Sequence, residues 1–176
     1  KYKPGLTKGN FLTMQTSRGC SFNCDYCSYM VVQGGKTRNR SLDLIREELE
    51  VLIFKHKVKS ILFRDILFGF PKTRFYEILE LLSEYKNHLE WGCETRIELL
   101  TDDIIKKAYC SGMRVINIGI ESPNIDILAK NGKRTINQDN TYKKVVALND
   151  NNIKVQAFYM LGLFGVCALL LHLYYL

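Results

Sequence analysis

The run Thr16-Ser17-Arg18-Gly19-Cys20-Ser21-Phe22-Asn23-Cys24-Asp25-Tyr26-Cys27 constrains this chain more than any other part of it. Its cysteines stand as C-x3-C-x2-C, close enough for one short loop to wrap a single metal centre, and no fourth cysteine or histidine lies nearby to close it. Iron–sulfur cubanes are normally held by four thiolates, so three leave one iron open to something other than protein. An open coordination position separates a reactive metal site from a structural one. The other reading of three close cysteines is a zinc knuckle, but zinc sites usually add a second Cys or His pair, and His56, His88 and His172 are scattered singly. Cys93, Cys110 and Cys167 show no ligand spacing and read as buried free thiols.

A chain of 176 residues supports one sizeable core rather than two ordinary domains. The net charge of +7 admits an anionic partner, yet the basic residues are spread, as in Lys55, Lys57, Lys59 and then Lys130, Lys133, Arg134. That spread reads as a solvated face rather than a nucleic-acid groove. Thiols poised around an open cluster point to a reducing cytoplasm rather than a secreted disulfide scaffold. No signal peptide, low-complexity segment or solenoid repeat is evident, and both ends look cut. Val155 to Leu176 carries no charged residue and matches the ~20 residues of a membrane span. Its first part, however, is better used as a strand, which leaves too little for a span.

Short apolar, β-branched runs alternate with segments of helical period, the pattern of a parallel α/β fold. Strands are expected over Phe11–Gln15, Ser60–Arg64, Leu89–Ile97, Val115–Ile120 and Lys154–Leu161. Between them, Ser41 can cap a helix to about His56 with Leu42, Ile45, Leu49, Leu52 and Ile53 on one face. Pro71 suits the start of a second helix, and Thr101-Asp102-Asp103 a third that Gly112 ends; a fourth covers about Gln138 to Asn149. Right-handed crossovers make such strands parallel and put their carboxyl ends on one rim, where barrel enzymes place their chemistry. Cys20, Asp65, Arg96, Glu121-Ser122 and Gly162 all fall at those ends.

With Tyr26 at the aromatic position of C-x3-C-x-aromatic-C, the chain resembles the radical S-adenosylmethionine (SAM) superfamily, and most of all the group associated with a cobalamin-binding domain. Ile61-Leu62-Phe63-Arg64-Asp65, Trp91-Gly92-Cys93-Glu94-Thr95-Arg96 and Ile118-Gly119-Ile120-Glu121-Ser122 follow in order and support the resemblance. It implies a partial (β/α) TIM-like barrel with about five of six parallel strands, spanning residues 1–163. It implies a 4Fe–4S cluster on Cys20, Cys24 and Cys27 that reductively cleaves SAM to a 5′-deoxyadenosyl radical for C–H activation or methyl transfer. Tyr26 would reach the adenine, Asp65 the SAM amino group, Arg96 its carboxylate, and Glu121 and Ser122 the ribose side. A small-molecule substrate, an electron donor such as flavodoxin or ferredoxin, and cobalamin in the full-length protein belong to the same expectation, with no nucleic acid and no membrane. A tRNA-modifying methylthiotransferase-like enzyme and a noncatalytic iron–sulfur or zinc module are the alternatives. Relatives continue after the fifth strand with a turn, an acidic helix and a sixth strand. Here residues 164–176 are an apolar tail, expected to be truncated or frame-altered.

Overall fold

The computed structural model describes residues 11–133 and 138–164. Its frame is a five-stranded sheet of β1 (Phe11–Met14), β4 (Ser60–Phe63), β5 (Glu90–Thr95), β6 (Met113–Glu121) and β7 (Lys154–Tyr159), in that spatial order and parallel throughout. Crossovers are made by α2 (Leu42–Glu50), α3 (Lys72–Ser83), α4 (Asp102–Cys110) and α6 (Gln138–Asp150). This is the partial parallel barrel expected from the alternation of strand-like and helical segments, with each strand ending within a few residues of its expected limit.

One face of the sheet makes the core. Register aligns Met14, Phe63, Cys93, Ile116 and Val155 across the five strands. Against this row pack Ile45 and Leu49 of α2, Phe75, Ile78 and Leu82 of α3, Ile104 and Ala108 of α4, and Leu148 of α6. Parallel strands therefore read as apolar runs, since one face meets helices and the other lies inside the curve of the sheet. On that inner face Leu62 and Val115 pack together over Gly92, where a Cβ would collide with Val115. One step nearer the rim, Arg64, Glu94 and Asn117 turn the inner face polar. Arg64 lies 3.4 Å from the Glu94 carboxylate, and Asn117 Oδ1 is buried with no partner among the described residues.

The expected caps are present. Ser41 accepts from Leu44 N–H and Thr101 from Ile104 N–H, each occupying an amide that the first helical turn leaves unpaired. The helix expected to run to His56 changes at Val51 into a π-helix, Val51–Lys55, closed by His56 N–H on Val51 O. Short pieces escaped the sequence reading: α1 (Tyr29–Gln33), α5 (Ile125–Lys130), and an antiparallel ribbon of β2 (Ser17–Arg18) and β3 (Arg38–Asn39). The basic stretch after Gly34-Gly35 is part of that ribbon, with Arg38 donating to Gln33 O and Arg40 to Gln15 O.

Two expectations about single residues need correction. Cys93 is buried, but Cys110 is exposed, because Ile104, Ile105 and Ala108 form the buried face of α4 and position 110 falls on the other side. Lys133 was counted among the solvated basic residues, yet only 4% of it is exposed. Arg134 and Cys167 lie outside the described residues, as does the apolar tail beyond Phe164. Among the described residues, no helix is long and apolar enough to cross a membrane.

Candidate cofactor site at the strand ends

The cysteine loop leaves β1 and is fixed at its base by Asp65, which follows β4. Thr16 N–H donates to both carboxylate oxygens at 3.0 and 3.1 Å, while the hydroxyls of Thr16 and Ser17 donate to Oδ1 at 2.7 and 2.6 Å. Asp65 is 1% exposed, so the structure turns this acid down into the loop base rather than out to the rim. Burial pushes its pKa up, and the Ser17 and Thr16 donors pull against that shift. Next comes Gly19 at φ +79°, where a Cβ would strike Lys36 O, so the tight approach of the loop to the ribbon needs glycine.

Above this base the three thiols share one site. Cys20, Cys24 and Cys27 are all half-buried, and a turn joins Cys27 N–H to Cys24 O at 3.0 Å. Burial raises the Cys20 pKa, and the thiols of Cys24 and Cys27 raise it further, while the Phe22 backbone N–H and the Arg96 guanidinium oppose. Arg96 follows β5, stands 4.2 Å over the Phe22 ring and reaches Cys24 Sγ at 3.7 Å. Its other nitrogens bond Glu98 at 3.0 and 3.3 Å. Arg96 is therefore at the thiols, with part of its fork held by Glu98.

The far side of the site is the end of β6. Glu121 sits at φ +64°, unusual for a residue with a side chain, and the pairing register of β6 with β7 shifts between Gly119 and Glu121. Its backbone is held by Met160 N–H on Glu121 O at 2.9 Å, and Ser122 N–H bonds Ile120 O at 2.8 Å. The side chain folds back over Gly119 and meets Lys133 Nζ at 3.2 Å. Tyr26 lies between the two sides. Like Met160, it packs against the cluster of Ile127, Leu128 and Leu163, and burial, then Glu121 and Cys24, push its phenol well above the ordinary range. Ser122 is 7% exposed and accepts from Asn124 N–H at 3.1 Å, a turn contact that leads into the Asn124 cap of α5. It also lines a mainly apolar cleft of about 290 Å³ between the ends of β6 and β7 and the start of α6.

The structure thus brings Cys20, Cys24, Cys27, Tyr26, Arg96 and Glu121 to one place, sets Asp65 beneath it and Ser122 at its margin. Sequence reading missed two parts, Lys133 and the loop that carries it. Asp25 N–H donates to Asn131 O at 3.1 Å, and a Cβ on Gly132 would meet Asn23 O, so this loop lies directly on the cysteine loop. A lysine after Asn-Gly looks like any surface lysine; only the depth of the turn distinguishes it.

The donor set fits an iron–sulfur cubane, since three half-buried free thiols lie near enough to one another to interact electrostatically and a guanidinium stands beside one of them. Among the described residues, no three His, Cys, Asp or Glu side chains converge on a single-ion position. A cubane gives each thiolate a different iron, so its ligands stand apart.

The sequence profile described as the radical SAM superfamily matches residues 14–166. An uncharacterized methyltransferase of Pyrococcus horikoshii is 31% identical over 123 residues, covering 70% of this chain and 27% of the relative. The bacteriochlorophyllide d C-12(1)-methyltransferase of Chlorobaculum tepidum is 29% identical over 151 residues, covering 83% of this chain and 32% of the relative. The chain thus spans about a third or less of the length of these curated relatives. Among solved structures, the radical SAM methyltransferase TsrM of Kitasatospora setae, with tryptophan substrate and a SAM analogue bound, superposes with a TM-score of 0.81 at 16% identity. That match covers 89% of this chain and 31% of the neighbour.

Proposed function

This chain belongs to the radical SAM superfamily, whose cofactors are a 4Fe–4S cluster and SAM, and from that premise we propose that it is the cofactor-binding core of a methyl-transferring enzyme of the cobalamin-associated group. The observation that carries the reading is the grouping of three half-buried thiols with Arg96, Tyr26 and Glu121 at the carboxyl ends of parallel strands. When bound, the cluster and SAM supply one-electron cleavage of the sulfonium, and the protein supplies binding, orientation and exclusion of water.

Each residue has a part in that division. Cys20, Cys24 and Cys27 hold the cluster. Arg96 places positive charge beside Cys24, suited to a thiolate-bound cluster and to a carboxylate, with which guanidinium pairs well. Glu121 offers Oε2 to a ribose hydroxyl, as among the described residues only its Oε1 is engaged. Tyr26 and Ser122 border the space for the adenosyl group. Asp65 acts from below, fixing Thr16 and Ser17 so that the cysteine loop leaves the sheet at a set point.

The similarity to methyltransferases supports methyl transfer to a small molecule, aided by cobalamin in the whole protein and by an electron donor such as flavodoxin or ferredoxin. Residues 1–163 constitute the core in this reading, and 164–176 a tail foreign to it. An exchangeable iron suits a reducing compartment, and the cytoplasm is the compartment that this reading proposes. Anaerobic reconstitution is the test. The expected outcome is a brown protein with four irons per chain by the cubane stoichiometry, bleached by reduction, whose paramagnetic resonance changes on adding SAM. Stoichiometric zinc without iron uptake would establish a structural module instead.

A further inference from the structure

Lys133 is 4% exposed and makes two contacts: its ammonium donates to Gly119 O at 2.5 Å and to Glu121 Oε1 at 3.2 Å. Both partners belong to the irregular end of β6. The pairing with β7 slips there, with Gly119 opposite Phe158, Glu121 opposite Tyr159 and Ile120 left between them, and Glu121 adopts a left-handed backbone that is costly unless its surroundings fix it. A buried lysine is also costly unless it is paired and hydrogen-bonded. One side chain meets both needs, binding the carbonyl before the bend and the carboxylate after it.

From this geometry we propose that Lys133 is a positioning residue for SAM binding, which sets the backbone bend and carboxylate direction of Glu121. The inference rests on the reading of Glu121 as a ligand of the SAM ribose. Gly119 is part of the same arrangement. A Cβ there would collide with Glu121 Oε1 and stand 3.3 Å from Lys133 Nζ, so the pair can fold down over the strand only because residue 119 has no side chain. The lysine reaches this position because Asn131 and Gly132 are set against the cysteine loop by backbone contacts. Replacing the Lys133 side chain leaves those contacts in place and should not disturb the cluster ligands.

The test is SAM affinity of the anaerobically reconstituted full-length protein, by equilibrium dialysis, with iron content measured on every sample. Lys133→Met and Glu121→Gln should each weaken SAM binding about tenfold, the scale of a lost charge-assisted hydrogen bond. The double variant should be no weaker than either single one, and Lys133→Arg, which keeps the cation, should recover part of the loss. Iron content should stay at the wild-type level. Wild-type affinity in Lys133→Met alongside weakened Glu121→Gln overturns the proposal and leaves the reading of Glu121 intact. Wild-type affinity in Glu121→Gln overturns both. Losses that multiply in the double variant show independent roles and also overturn it. Gly119→Ala keeps both charged groups and displaces them; it decides the matter if Lys133→Met loads no iron. Weakened SAM binding in that variant supports the proposal, and wild-type binding overturns it.

Discussion

Asp65 follows β4 and Glu121 ends β6, and in the same parallel sheet these two acids are handled in opposite ways. Asp65 is turned under the rim, where neutral donors from Thr16 and Ser17 cover both of its oxygens. Glu121 is turned across the inner face and meets one cation, with Oε2 unengaged among the described residues. The first acid is consumed by the fold, whereas the second is held but left with a vacant acceptor. Position at a strand end does not therefore mark a ligand contact. What matters is which hydrogen-bonding capacity remains after the protein has used its share.

The sharpest test of the contrast lies in the thiols both acids serve. Ala at Cys20, Cys24 or Cys27 should abolish the cluster, read as loss of iron and of visible absorbance, while Cys93→Ala should retain it; iron in any of the first three would break the assignment. Asp65→Ala should come next. It strands three buried donors, so thermal unfolding should show a loss of about 2–4 kcal/mol, with poor cluster loading as a consequence. A normal melting curve would place Asp65 on the ligand side of the comparison.

Acidity sharpens the same point. Asp65 has its folded pKa raised above 3.8 by burial, so its carboxyl contributes most to stability below that value and less as pH rises through the raised one. The melting temperature of Asp65→Asn apoprotein relative to wild type should accordingly rise with pH above 3.8; a constant difference would mean that the Thr16 and Ser17 donors cancel the burial. Glu121→Ala should weaken SAM binding by about 1–3 kcal/mol, measured on the loaded protein, and should lower stability by a similar amount, because the buried Lys133 ammonium loses its carboxylate partner. Cys110→Ser should be smallest of all, within about 0.5 kcal/mol in stability, as expected at an exposed position.

The sequence made the sheet legible because buried parallel strands are apolar without interruption, as in Val115–Ile120, and because Ser41 and Thr101 announce helices through capping chemistry. The thiols were legible from spacing alone. Asp65 was visible as a strand-end acid, but its direction was not, since rotation into the loop base depends on Thr16 and Ser17 in the distant segment that follows β1. Lys133 was misread for a related reason. Its burial follows from a turn against the cysteine loop more than a hundred positions earlier, and no local pattern encodes that contact. The ribbon of β2 and β3 is too short to show a period at all.

The spatial order of the main sheet is also its order along the chain, β1-β4-β5-β6-β7, with each strand paired to the one before it. During synthesis every strand after the first would emerge to find its partner already present, so the sheet can grow outward from β1 in the direction of translation. The cysteine loop gains its Asp65 anchor as soon as β4 docks, whereas Glu121 and Lys133 come together only after β6 and the loop beyond it have left the ribosome. The thiols would then be gathered for metal insertion while the SAM side of the site is still being made, so a nascent chain could take up iron before it could hold SAM.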